Sequence, residues 1–250
     1  MSRHRSLVVD IETAPDRATL AQCGRRPRDA ASRIWLHGLA AISWLAFTEQ
    51  DDGTVGALAL TSIAVACAND VDSVAMRERD ALARLESALT ALDDGGRLIS
   101  FNGRRHDLPF LKLRRHHHHL FDATRLDRFL GADSDRHCDL LEILTRDGLR
   151  WPSLDEACAA LRIPHGVENV ECGGCAPAVA RSQVDVLATF LLDRFRFASD
   201  AHAPLAFARA WSVLAAWCVG QGRRWPHLVQ FATLPAARAA LLAAGRASPG

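Results

Sequence analysis

The 250-residue chain contains no tyrosine, a single lysine (Lys112) and no apolar stretch of membrane length. Without tyrosine there is no phenol to orient or deprotonate a reacting group. A membrane-spanning helix needs roughly 20 consecutive apolar residues. Neither such a run nor the anatomy of a signal peptide is present. Net charge is only +1, so no global cationic field draws nucleic acid, and any such contact must come from local patches. Cysteine occurs seven times, an odd number spread along the chain, which argues against a disulfide framework. A reducing cytoplasm is the expected setting, with no membrane partner. Heavy use of arginine and alanine carries no functional signal.

What is present suits a packed α/β domain. The hydrophobic fraction is 49%, enough for a sizeable core. Leu7-Val8-Val9-Asp10-Ile11 reads as a central strand. The polar stretch 13–33 reads as a loop or short helix. Gly38 to Phe47 and Val55 to Ala66 read as strands, joined by a turn at Glu49-Gln50-Asp51-Asp52-Gly53. Leu82, Leu85, Leu89 and Leu92 repeat at helical spacing within Arg77 to Leu92, and Asp93-Asp94-Gly95-Gly96 stops that helix. Arg97 to Phe101 reads as a strand that turns at Asn102-Gly103. Helices are expected over 107–120, 137–147, 153–162 and 177–197. Two more follow from Ala203 onward, split near Gly220-Gln221-Gly222. Strands first, then strands alternating with helices, indicate a sheet with helices packed on it.

Three acidic features punctuate this pattern. Asp10 and Glu12 are two residues apart in a strand, so their side chains project from one face. Two carboxylates that close repel each other unless a cation lies between them, and hard divalent ions take such oxygen ligands. Asp107 follows the strand end Ile99-Ser100-Phe101-Asn102-Gly103 and could simply cap the next helix. Asp185 sits in a late helix between apolar neighbours, where an acid on a polar face would be ordinary.

Taken together and in order, these features resemble the predicted 3′–5′ exonucleases related to the proofreading domain of family-B DNA polymerases. Those belong to the DEDD exonucleases. Val8-Val9-Asp10-Ile11-Glu12-Thr13 resembles the first motif of that family. Phe101-Asn102-Gly103 with Asp107-Leu108-Pro109-Phe110-Leu111 resembles the second. Asp185-Val186 with Thr189 and Leu191-Leu192 resembles the third. Cys138-Asp139-Leu140-Leu141-Glu142 and Ser153-Leu154-Asp155-Glu156 are similar to the stretch between the second and third.

The resemblance, over roughly residues 6–197, implies a ribonuclease-H-like mixed central sheet flanked by helices. It implies an exonuclease domain over 1–198 and a helical C-terminal extension over 199–250. By the same resemblance Asp10, Glu12, Asp107 and Asp185 are the catalytic and metal-binding acids for two Mg²⁺ or Mn²⁺ ions. Thr13, Phe101, Asn102 and Arg181 are the candidate substrate contacts. The implied reaction releases 5′-mononucleotides from a single-stranded 3′ end of DNA or RNA.

One departure stands out. The family normally places a tyrosine four residues before the third-motif aspartate, and a sister group a histidine five before. Here those positions hold Arg181 and Ala180. A guanidinium stays protonated and cannot act as a base, though it can bind phosphate. His165, on a nearby loop, is a candidate substitute. The resemblance thus implies a slow exonuclease, with a non-catalytic nucleic-acid- or partner-binding module on the same fold as the alternative. A chance match of acids on some other α/β fold is a third reading.

Other features rank lower. Arg104-Arg105-His106, Lys112, Arg114-Arg115 and the His116–His119 run read either as a solvated face or as a track for a nucleic-acid backbone. Cys172-Gly173-Gly174-Cys175 has half the ligands of a zinc site and reads as two loop cysteines. Trp211 and Trp217, among alanines and leucines, read as core or as an interface for a protein partner or a second copy.

Overall fold

The computed structural model describes residues 3–30, 33–66, 70–92, 95–122, 124–131, 135–146, 152–167, 176–233 and 235. Five strands form one sheet: β1 (Arg3–Pro15), β2 (His37–Gln50), β3 (Val55–Ala64), β4 (Leu98–Ser100) and β5 (His137–Asp139). Their spatial order is β3-β2-β1-β4-β5. The first three run antiparallel as a meander, while β4 lies parallel to β1 and β5 parallel to β4. The helices are α1 (Arg17–Gln22), α2 (Val71–Thr90), α3 (Asp107–His117), α4 (Asp127–Leu130), α5 (Leu140–Arg146), α6 (Leu154–Leu161), α7 (Ala176–Asp200) and α8 (Pro204–Gln221). This mixed sheet flanked by helices is a ribonuclease-H-like architecture.

Alternation along β1 decides which residues meet which helices. Leu7, Val9 and Ile11 point to one face and pack with Leu82, Leu85, Leu108 and Leu111 of α2 and α3. Val8 points to the other face and joins Leu45, Ile99 and the α7 residues Val184, Leu187, Phe190 and Leu191. Each such fully buried side chain contributes about 1.5–3 kcal/mol. Because the period is two, Asp10 and Glu12 share the parity of Val8 and so face α7.

α7 runs opposite to β1. Arg181 near its start pairs with Glu12, and Arg194 near its end pairs with Glu49, whose cross-strand neighbour is His4. The C-terminal helix α8 packs on α7, with Phe207, Trp211 and Leu214 fully buried in the same core. The Trp211 indole donates to the Phe231 carbonyl at 3.2 Å, so core packing accounts for this tryptophan. Among the described residues, no helix is long and apolar enough to cross a membrane.

Several expected boundaries shift. Residues 137–147 are not helical throughout, because His137–Asp139 form β5 before α5 begins. A three-residue edge strand has no periodicity of its own, and it exists only through pairing with β4. Stretch 13–33 contributes the end of β1, then α1 and a 3-10 turn at Pro27–Ala30. Asp16 caps α1 by accepting from the amides of Ala18 and Thr19. The helix expected from Arg77 starts at Val71, where Asp70 accepts from the Ser73 amide at 2.8 Å. Past Gly220–Gly222 the chain forms a 3-10 turn at Pro226–Ala232. Asp93-Asp94 and the Cys172–Cys175 motif lie outside the described residues.

Candidate metal centre

Asp10, Glu12 and Asp185 each place a carboxylate oxygen within 4.8 Å of the others. The strand supplies two of them from one face, and α7 supplies the third from above that face. A polar clamp fixes their approach. Ser43 is the cross-strand partner of Asp10, and Ser182 lies one helical turn before Asp185. Their hydroxyls are 2.6 Å apart, and Ser43 also donates to Ser62 at 3.0 Å. Gln183 donates to Ser62 at 2.9 Å and bonds His227 at 2.7 Å, tying β3 and the C-terminal segment to the same turn of α7.

Asp107, at the start of α3, is not in that 4.8 Å group, although its charge raises the pKa of Asp10, Glu12 and Asp185. It is not the N-cap of its helix. α3 begins at Asp107 itself, the cap position is His106, and no side chain caps it. The carboxylate instead bonds His106 Nδ1 at 2.8 Å. That bond, more than the opposing effect of burial, raises the His106 pKa.

The four acids are held against their own electrostatics. Burial, then Asp107, Asp185 and Glu12, push Asp10 well above the usual carboxylate range. Burial raises Glu12, with Arg181 pulling the other way. Burial also raises Asp107, against the His106 bond. Burial, then Glu12 and Asp155, push Asp185 up to about 7. Asp10 Oδ2 is buried without a hydrogen-bond partner. A buried oxygen without a donor is costly. An all-oxygen donor set with one orphaned atom fits a hard divalent cation.

The remaining candidates fall around this cluster. Thr13 follows a β-bulge opposite β2, a common device for re-aiming side chains near active sites, and its hydroxyl is 2.9 Å from His37 Nδ1. Phe101 is half-buried against the α7-side core. Asn102 adopts a left-handed conformation with φ 62°. Gly103 admits no side chain there, since a Cβ would meet Ser100 Oγ at 2.3 Å. Arg181 is 63% exposed, with Nε 3.6 Å from Glu12 Oε1. A cavity of about 450 Å³ opens here, lined by Arg181, Asp185, Asp155, Gly166, Val167 and Pro177. His165 adjoins it in sequence, and its Nδ1 is 3.0 Å from the Ile163 carbonyl. Since a carbonyl only accepts, Nδ1 is the donor in that contact.

Asp139 is the positioning residue that sequence reasoning passed over. Buried at the end of β5, it accepts from the amides of Asn102 and Arg104, both at 2.9 Å, and from Leu141 at 3.1 Å. It thereby shapes the turn that leads into Asp107. The only sequence signal for it was its place in the stretch between the second and third motifs.

Some of the basic residues that read as a solvated face or a backbone track are paired with acids. Arg114 is buried and gives two bonds to Glu78, at 2.7 and 2.6 Å, and one to Asp16 at 3.2 Å. Arg115 and Lys112 pair with Asp127 at 2.7 and 3.2 Å. His118 lies 2.9 Å from Glu78. The thiols of Cys23, Cys138, Cys158 and Cys218 are free.

Ribonuclease-H-like architecture with converging acids defines the class. Residues 32–234 match the model of a family described as predicted 3′–5′ exonucleases related to the exonuclease domain of PolB, and the chain belongs to that family. No curated protein sequence matches it. Among solved structures it is similar to E. coli exonuclease I in complex with a dT13 oligonucleotide, at 15% identity and TM-score 0.46, covering 78% of this chain and 41% of that one. It is similar also to exonuclease I from Methylocaldum szegediense, at 14% identity and TM-score 0.45, covering 91% and 42%. The chain thus spans less than half the length of these structures.

Proposed function

We propose that the chain is a metal-dependent 3′–5′ exonuclease that releases 5′-mononucleotides from single-stranded 3′ ends of DNA or RNA. The convergence of Asp10, Glu12 and Asp185 around the orphaned Asp10 oxygen carries this reading. Asp10, Glu12 and Asp185 would hold one Mg²⁺ or Mn²⁺ ion, and Asp10 with Asp107 a second. When bound, such a pair activates water and stabilises the leaving oxygen.

The protein's own groups supply the rest. Arg181, mobile enough at 63% exposure to leave Glu12, binds a non-bridging oxygen of the scissile phosphate. Phe101, Asn102 and Thr13 contact the terminal nucleotide. His165 Nε2 takes the proton of the attacking water, in place of the missing tyrosine or histidine. A badly placed base costs about 10²–10⁴-fold, so turnover is slow. Residues 1–198 form the exonuclease unit and 199–250 its C-terminal extension, of which Pro204–Gln221 is helical, and the setting is a reducing cytoplasm.

A second reading rests on the Arg181–Glu12 pair. A guanidinium that already neutralises one acid suits a non-catalytic nucleic-acid- or partner-binding module. Two experiments separate them. Calorimetric titration with Mn²⁺ should show two coupled sites that Asp10→Ala abolishes, whereas absent binding supports the module. Nucleotide release from a 3′-labelled oligonucleotide in Mn²⁺ should be lost in Asp10→Ala; equal background from both proteins would falsify the enzyme reading.

A further inference from the structure

A second basic stretch follows β1. Stretch 16–36 carries five arginines against two acids. It leaves β1 at the end that bears Asp10 and Glu12 and returns at His37, the partner of Pro15. At the strand rise of about 3.3 Å per residue, it begins roughly 13 Å past Glu12.

The stretch is anchored, not loose. Leu20 is buried, Asp16 caps α1 and pairs with Arg114, and the Asp16 amide donates to the Leu36 carbonyl at 2.8 Å. In the 3-10 turn Ile34–Leu36, Ile34 packs on the α2-side core and Leu36 is half-buried. Trp35 between them is turned outward and 69% exposed. Arg17, Arg25, Arg28 and Arg33 of the same stretch are exposed.

From this placement we infer that Trp35 and the arginines of 16–36 form the docking surface for the single strand whose 3′ end enters the acidic centre. The inference rests on the exonuclease reading for its substrate class. Phosphates require cations outside a centre that is itself acidic, and this edge presents the exposed Arg17, Arg25 and Arg33, whereas Arg114 of α3 is buried against Glu78 and Asp16. An indole held outward by two anchored neighbours offers a ready stacking face for a base. Stacking is tolerant of sequence and the arginines follow the backbone, as in general single-strand binding.

The test measures binding of 5′-labelled single-stranded DNA and RNA oligonucleotides by fluorescence anisotropy in EDTA, across a salt series. In parallel, hydrolysis of a p-nitrophenyl ester of thymidine 5′-monophosphate in Mn²⁺ reports the acidic centre alone. Trp35→Ala should weaken oligonucleotide binding about tenfold. The double variant Arg17→Glu/Arg25→Glu should flatten the salt dependence by about 0.7 in log–log slope for each phosphate it no longer neutralises. Both should hydrolyse the small ester like the wild type. Variants that bind with wild-type affinity and salt slope overturn this surface while leaving the exonuclease reading intact. Wild-type binding that these variants weaken, with no ester hydrolysis by any protein, upholds the surface and removes the catalytic reading. A wild type that binds no oligonucleotide overturns both.

Discussion

Asp185 and Asp193 lie two turns apart on α7, about 12 Å along the helix, and both face the sheet. Their surroundings push them in opposite directions. Burial would raise Asp193, but Arg194 and then Arg97 outweigh it and hold the carboxyl at about 2. Glu49 completes that cluster, taking Ser6 at 2.6 Å, Arg97 at 2.9 Å and Arg194 at 2.8 Å. At the other end burial acts on Asp185 with three more acids nearby and only the exposed Arg181 in opposition, and the carboxyl reaches about 7. On the far face of the sheet, Glu78 repeats the compensated pattern, held at about 2 by His118 and Arg114 despite burial. Burial of charge therefore does not mark the site. The direction of the shift does: compensated acids clamp the fold, and uncompensated acids await a cation from outside.

Removing one acid from each kind of cluster tests that distinction most strongly. Asp193→Asn takes one of two carboxylate partners from the buried Arg194 and the half-buried Arg97, leaving them Glu49, and should destabilise the chain by about 3–5 kcal/mol. Asp10→Asn, measured in EDTA, relieves repulsion and should move the urea midpoint the opposite way. Equal destabilisation by both variants would erase the difference between the two ends of α7.

The pH dependence sharpens it next. In the metal-free protein the raised Asp185 stabilises the fold fully below its unfolded pKa near 3.8, and that stability is lost as pH rises through about 7. Asp193 and Glu78 carry the other sign. Their contribution is present above the unfolded carboxylate range and is lost as pH falls toward about 2. Thermal melts in EDTA should therefore show stability declining from mildly acidic pH to neutrality, and again at strongly acidic pH. Since metal competes with protons for the site acids, Mn²⁺ should raise the melting temperature more at neutral pH than at about pH 5. A shift in the reverse order would place the metal elsewhere.

This contrast also explains what the sequence could and could not reveal. Asp10 and Glu12 were legible because period-two projection is local, and the strands β1 to β3 because their alternation is long. Arg114 was not. Its partners Glu78 and Asp16 lie 36 and 98 residues away, so a buried clamp and a solvated basic track look alike in sequence. Asp139 was hidden for the same reason, since it bonds backbone amides 35 and 37 residues upstream. Strand β5 was lost inside an apparent helix because its three residues gain their conformation from β4. The outward turn of Trp35 depends on the anchoring of its two neighbours, which composition cannot show.

The smallest expected effect concerns how the uncompensated end is held together at all. Asp185 approaches Asp10 and Glu12, which repel it, only if something else fixes α7 against β1 and β2. The Ser43–Ser182 contact, one residue across from Asp10 and one turn from Asp185, is placed to do so. Ser182→Ala removes it while Ser43 keeps its bond to Ser62, so the fold should lose only about 1 kcal/mol. If the clamp sets the approach of Asp185 to Asp10, the same amount should appear in metal binding, as an Mn²⁺ affinity weaker by about fivefold. Ser87→Ala, which removes an exposed hydroxyl on α2 that bonds only within its own helix, should leave the affinity near wild type. An affinity unchanged in Ser182→Ala would show that apolar packing of Val184, Leu187 and Phe190 positions the helix unaided.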